Sequence, residues 1–197
     1  MIVTTSMLKE RYVSYANPLD KIKREVDRGT IIRLNRGLYE TDPNANPAFL
    51  AACILGPSYL SFEYALSYYG LIPERVAAIT SASLQMRKNK TFTNAFGRFE
   101  YTDIPPRAFS EGLTYIENGA YACRIATKEK AICDCLYKWR IVKNIQELKE
   151  LLFTGMRIDE EEFELCDFTL MSCLASLYQR TNLKLLIKLI RKNYLHK

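Results

Sequence analysis

The chain has one histidine, His196, one tryptophan and eight glycines in 197 residues, and its apolar runs are short. Each scarcity removes a class of function. A hydrolase triad needs an imidazole base held beside its nucleophile, and a lone histidine next to the last residue is a poor one. A phosphate-cradling loop needs glycines clustered between a strand and a helix, whereas these stand singly among turns. No apolar run approaches the ~20 residues that cross a bilayer, so no membrane span is expected. No Cys-x-x-Cys pair occurs, and with a single histidine no zinc site and no other cofactor is expected.

Cysteine is not scarce: Cys53, Cys123, Cys133, Cys135, Cys166 and Cys173 are present. Cys133 and Cys135 fall in a helical stretch and, at about 100° per residue, point about 200° apart. No charged-then-apolar leader opens the sequence, so a reducing cytoplasm is the expected location. All six thiols are therefore expected as small buried hydrophobes.

A hydrophobic fraction of 48% without low-complexity segments suits one or two compact domains. The net charge of +6 permits an anionic partner without requiring one. Where the cations sit is the sharper question.

In "NPLDKIKREVDRG", Asn17 is placed to cap a helix, Pro18 suits its first turn and Gly29 suits the left-handed position past its end. A helix is predicted from about Pro18 to Arg28. Its periodicity puts Leu19, Ile22 and Val26 on an apolar stripe and Lys21, Arg24 and Arg28 on the opposite one. Ile32 and Leu34 then alternate with Ile31 and Arg33, a three-residue turn Asn35-Arg36-Gly37 follows, and Leu38 and Tyr39 return as a second strand. Helix followed by basic hairpin is the order of a winged helix. In that arrangement Lys21, Arg24 and Arg28 face a DNA groove or its flanking phosphates, and Arg33 and Arg36 hold the backbone beside it. Before Pro18 there is room for one short helix, around Thr5 to Tyr12. Surface helices commonly carry lysine and arginine, so a solvated basic face is the competing reading.

The turn-rich "TDPNANP" separates this unit, residues 1–43, from a larger one, 44–197. "PAFLAACIL" and "SFEYALSYYG" are predicted helices, the second capped by Ser61 with Glu63 in its first turn. "VAAITSAS" is a buried strand, "TFTNAFGRFEYTDI" forms strands around Gly97, and Asn118-Gly119 turns a hairpin. Thr127 caps "KEKAICDCLYKW", with Ala131, Ile132, Cys135, Leu136 and Trp139 at core spacing. The last third is helical: "IQELKELLF", then "DEEEFELCDFTLMSCLASLY" as one helix opened by Asp159 and Glu162, then "NLKLLIKLIRKNYL". That final helix sets Leu183, Leu186, Ile187, Ile190 and Tyr194 against a basic side of Lys184, Lys188, Arg191 and Lys192, which its C-terminal dipole explains. The expected class is α+β: a small winged-helix-like unit, then a mixed α/β domain ending in helices.

Three ordered blocks, "RGLYE", "YLSFEYALSYYGLIPE" and "RIATKEKAICDCLY", resemble the AbiEi family of antitoxins, transcriptional regulators of type IV toxin–antitoxin and phage-defence systems. The resemblance spans residues 29–137. It implies a winged-helix head that binds operator DNA, a second domain needed for antitoxin activity, and a nucleotidyltransferase-like toxin as the functional partner. The positions matching the family's basic DNA-binding residues are Lys21, Arg24, Arg28, Arg33 and Arg36. Two departures stand: the segment before Pro18 is short, and Lys128 occupies a position where relatives often have proline. The short segment leaves a second reading open, a protein-interaction module whose head no longer reads DNA.

The cluster Lys128, Glu129, Lys130 and Asp134 could serve a nuclease-like metal site. Glu129 and Lys130 are neighbours on a helix and point about 100° apart, and Glu129 in a first turn complements the dipole. No enzymatic activity is expected.

Overall fold

The computed structural model describes residues 1–86 and 88–194; His196 lies outside them. Among the described residues the chain is α+β, with a three-stranded sheet in its N-terminal part and a mixed six-stranded sheet, flanked by helices, in the rest.

The N-terminal part, the head, runs β1 (Ile2–Thr4), α1 (Thr5–Arg11), α2 (Pro18–Asp27), β2 (Ile32–Asn35) and β3 (Leu38–Glu40). Asn17 caps α2 as expected, its Oδ1 accepting from the Leu19 N–H at 3.1 Å, and Gly29 takes φ +73° past the helix end. Thr4 caps α1 by accepting the Met7 N–H. Strand β1 was not foreseen. It pairs antiparallel with β3, giving the order β1-β3-β2.

The hairpin differs from expectation at its turn. Asn35 pairs with Leu38, so the turn is the two residues Arg36-Gly37, and the surplus residue is taken up by a bulge between Arg33 and Asn35. Gly37 still supplies the positive φ, +78°.

Each face of the head sheet serves a different core. Val3, Tyr39 and Arg33 stand abreast in the register and so share a face. On it Val3 and Tyr39 pack with Leu8, Ile22 and Ile31 beneath α1 and α2. Ile2, Leu34 and Leu38 instead join the larger core. The predicted stripe of α2 is corrected at one position: Ile22 is buried, but Leu19 is 51% exposed. Helix side chains lean toward the N-terminus, which carries Leu19 in the first turn past the residues that cover Ile22. Glu25 is buried in its stead.

The body comprises α3 (Pro47–Ile54), β4 (Ser58–Leu60), α4 (Phe62–Tyr68), β5 (Ala78–Ser83), β6 (Lys90–Asn94), β7 (Gly97–Asp103), α5 (Pro106–Phe109), β8 (Leu113–Asn118), β9 (Tyr121–Ala126), α6 (Lys128–Lys138), α7 (Ile145–Lys149), α8 (Glu160–Glu164), α9 (Phe168–Ser176) and α10 (Thr181–Asn193). Helix α7 widens into a π-helical turn over Glu150–Gly155. The sheet order is β6-β7-β5-β4-β9-β8, with β4/β9 and β5/β7 parallel and the other pairs antiparallel. Helix α6 is the centre of the body, buried from Glu129 through Leu136.

Three further expectations are corrected. Ser61 precedes α4 but does not cap it: its hydroxyl donates 2.6 Å to Asp134, and Thr80 of β5 accepts the Tyr64 N–H instead. The long acidic-led helix is two, α8 and α9, because Asp167 accepts the Leu170 N–H at 2.9 Å and starts a new helix. Of the six thiols, Cys123, Cys133, Cys135 and Cys166 are buried, but Cys53 and Cys173 are exposed on the outer sides of α3 and α9.

Head and body are joined through the hairpin. Asn35 Nδ2 donates to the Ile54 carbonyl at 3.3 Å, at the end of α3, and Asn94 Nδ2 at the end of β6 donates to the Leu34 carbonyl at 3.0 Å. The Thr5 N–H meets the Gly37 carbonyl at 3.0 Å, so the turn is also tied to the start of α1.

Candidate nucleic-acid interface

The five cations expected to touch DNA do not form one equivalent set. Arg24 is exposed on α2 and Arg28 at its C-cap, and Arg33 and Arg36 are exposed on β2 and its turn. Lys21 is different. Its ammonium pairs with Glu25 one turn on, lies 5.1 Å from the Tyr15 ring centroid and 5.7 Å from that of Tyr12, and keeps 17% side-chain exposure. The Glu25 hydrogen bond raises the Lys21 pKa, and the same bond lowers that of Glu25. Lys21 therefore fastens α2 to the aromatic end of α1, a packing role, whereas Arg28 at 3.8 Å touches Glu25 only loosely and keeps 68% exposure.

Arg24 donates through Nε to the Asp20 carbonyl at 3.4 Å, which lays its stem along the helix and leaves the guanidinium in solvent. Arg33 pairs across the ladder with Tyr39, so it projects on the helix side of the sheet, the side on which α2 packs. Arg36 sits at the turn itself. Lys23 on α2 and Lys9 and Arg11 on α1 are exposed as well. The helix pattern did not single these out, because Lys23 sits between the two predicted stripes and α1 is too short to show one.

The acidic and basic residues around α6 separate. Lys128 pairs with Glu162 at 2.7 Å, and Glu129 accepts the Asp167 N–H at 3.0 Å ahead of α9. That bond, rather than the helix dipole alone, accounts for Glu129. Lys130 and Asp134 are fully buried and 3.1 Å apart. Asp134 also accepts from Tyr59 at 3.0 Å, Ser61 at 2.6 Å and Tyr178 at 2.5 Å. Burial, with Asp134 alongside, drives the Tyr59 and Tyr178 hydroxyls well above the ordinary tyrosine range, so they donate and do not ionise. Of the suggested metal cluster, Lys128 and Glu129 thus turn to separate partners, while Lys130 and Asp134 are taken up by each other and by the buried hydroxyls. Among the described residues no group of three or more His, Cys, Asp or Glu gathers in metal-binding geometry.

On α10 the expected two sides are present: Lys184, Lys188, Arg191 and Lys192 are exposed, opposite Leu183, Leu186, Leu189 and Ile190. Leu189 takes a core place, whereas Ile187 and Tyr194 are half-buried. Among the described residues no helix is long and apolar enough to cross a membrane.

Neither a family model nor a curated protein matches the chain.

Proposed function

We propose that the chain is an antitoxin-like transcriptional regulator of a type IV toxin–antitoxin or phage-defence operon, acting in the cytoplasm and binding operator DNA through α2 and the β2–β3 hairpin. The observation that carries this reading is the exposure of Arg24, Arg28, Arg33 and Arg36 on a helix followed by a hairpin, in the order that a winged helix uses. The three sequence blocks resembling the AbiEi family support it. Lys21 holds the helix pair together and the four arginines meet phosphates.

The test is binding of the purified protein to a duplex carrying its own upstream region, against a scrambled duplex, over a range of salt. Four phosphate contacts give a log–log salt slope of about −3.6. Arg33→Glu with Arg36→Glu lowers the slope by about 2 and weakens binding, with an unchanged circular dichroism melt. Affinity unaltered by the double reversal refutes the role of the hairpin.

A second reading has one observation in its favour. The hairpin turn is tied to α1 at Gly37, and β2 is tied to the body at Leu34 and Asn35, which shortens its reach as a wing. On that reading the head is an interaction module acting on a nucleotidyltransferase-like toxin or another protein. Retention of partner binding by the Arg33/Arg36 double variant, with no duplex preference in the native protein, favours it.

A further inference from the structure

A second cationic site lies in the body and does not rest on the reading of the head. At the start of α10 a cleft of about 550 Å³ opens between the α5 segment and the end of α6, within the size range of small-molecule sites. Two arginines line it, Arg107 from α5 and Arg180 immediately before α10, and no carboxylate does. Neither arginine takes part in an ion pair among the described residues.

Arg180 is held in place without being satisfied. Its guanidinium carbon lies 5.2 Å from the Tyr137 ring centroid, a cation–π contact. Its Nε–H is buried and has no acceptor. An unmet buried donor costs free energy, and Arg180, only half-buried as a residue, leaves its outer N–H groups for an acceptor in the cleft. The thirteen-residue α10 adds to the field, since it has no side-chain cap and no acidic residue in its first turn.

The floor is rigid for a separate reason. Tyr178 lines the cleft with its ring while its hydroxyl is committed to Asp134 and Lys130 in the buried network. Leu177 and Pro105 supply an apolar wall beside the two cations.

A monocarboxylate has lone pairs for both guanidinium groups but carries one negative charge against their two, whereas a phosphomonoester carries nearly two. That tetrahedral dianion also has acceptors for both. We propose that this cleft binds a small phosphomonoester, its phosphate between Arg107 and Arg180 and its apolar portion against Leu177 and Pro105.

The probe is adenosine monophosphate, titrated calorimetrically into the full chain at low salt, with inorganic phosphate and adenosine as parallel arms. Saturable binding of the nucleotide is expected, with phosphate weaker and adenosine silent. Arg107→Ala removes an exposed side chain, leaves the melt unchanged and weakens the nucleotide about tenfold or more; Arg180→Ala does the same with some loss of Tyr137 packing. The Arg33→Glu/Arg36→Glu variant keeps full nucleotide affinity, which separates this site from the head. No saturation by about 10 mM nucleotide overturns the proposal, as does undiminished binding in Arg107→Ala. Adenosine binding as tightly as the nucleotide overturns the anion assignment, and phosphate matching the nucleotide overturns the apolar half.

Discussion

Replacing Lys130 by methionine tests the energetics of the body directly. Methionine keeps most of the stem volume and deletes the charge. What remains is a fully buried Asp134 carboxylate that still accepts from Tyr59, Ser61 and Tyr178 but has lost its countercharge at 3.1 Å. Breaking a buried pair from one side costs about 3–5 kcal/mol, far more than an exposed pair is worth. The ammonium's position 4.7 Å from the Tyr178 ring centroid and 5.5 Å from that of Tyr59 places the estimate toward the upper end. For a chain of 197 residues this is a fall in melting temperature of about 6–20 °C. The assay is urea unfolding followed by circular dichroism, in which the midpoint drops and the slope m is unchanged. Lys130→Met combined with Asp134→Leu removes both charges and should cost less than the sum of the single variants by about 2 kcal/mol or more. A loss below about 1 kcal/mol for Lys130→Met, or strict additivity in the double variant, refutes the reasoning that the pair acts as a unit.

Two further outcomes follow from the titrating groups. Glu25, lowered from 4.5 by its bond to Lys21, contributes stability that is present above pH 4.5 and lost as pH falls through the lowered value. Lys21, raised from 10.5 by the same bond, contributes stability that is present below pH 10.5 and lost as pH rises through the raised value. Protection factors of the α2 amides, taken relative to the intrinsic exchange rate at each pH, should therefore be highest between those limits, and Lys21→Ala should lower them and flatten both arms. An unchanged profile in the variant removes the packing role given to Lys21. Cys173 should react with an aromatic disulfide reagent in the native protein, and Cys53, exposed but with its thiol raised by burial, should follow more slowly. Cys123, with its thiol pushed up to about 11 by burial, and Cys166, to about 12, should wait for denaturant together with Cys133 and Cys135. More than two fast equivalents contradicts the burial pattern.

Helix starts were the most legible part of the fold, because capping is local chemistry. Asn17, Thr127 and Asp159 accept the backbone N–H groups that their positions predicted. Ser61 shows the limit of that logic: a serine before a helix is a cap only if nothing stronger competes, and Asp134, 73 residues on, outbids the helix for its hydroxyl. Strand β1 was hidden because three residues cannot display an alternation. Lys130 and Asp134 have the i,i+4 spacing of an ordinary surface pair, and only the packing of α4, α9, α10 and β9 around α6 encloses them. At the candidate interface, residue type and order were readable, but the split between Lys21 and the four arginines was not. It depends on Tyr12 and Tyr15, which a helix wheel drawn for α2 alone does not contain.

Both faces of the head sheet are packed. Its helix side closes one core and its other side contributes Leu34 and Leu38 to the second, with Asn94 reaching across to the Leu34 carbonyl. Strand β2 is consequently held by two sets of neighbours: its exposed Arg33 can be exchanged, but the strand that presents it cannot drift to suit a ligand without disturbing both. The orientation of the basic surface is inherited from the body, so any second copy or partner that grips the body also sets the angle at which those arginines are presented.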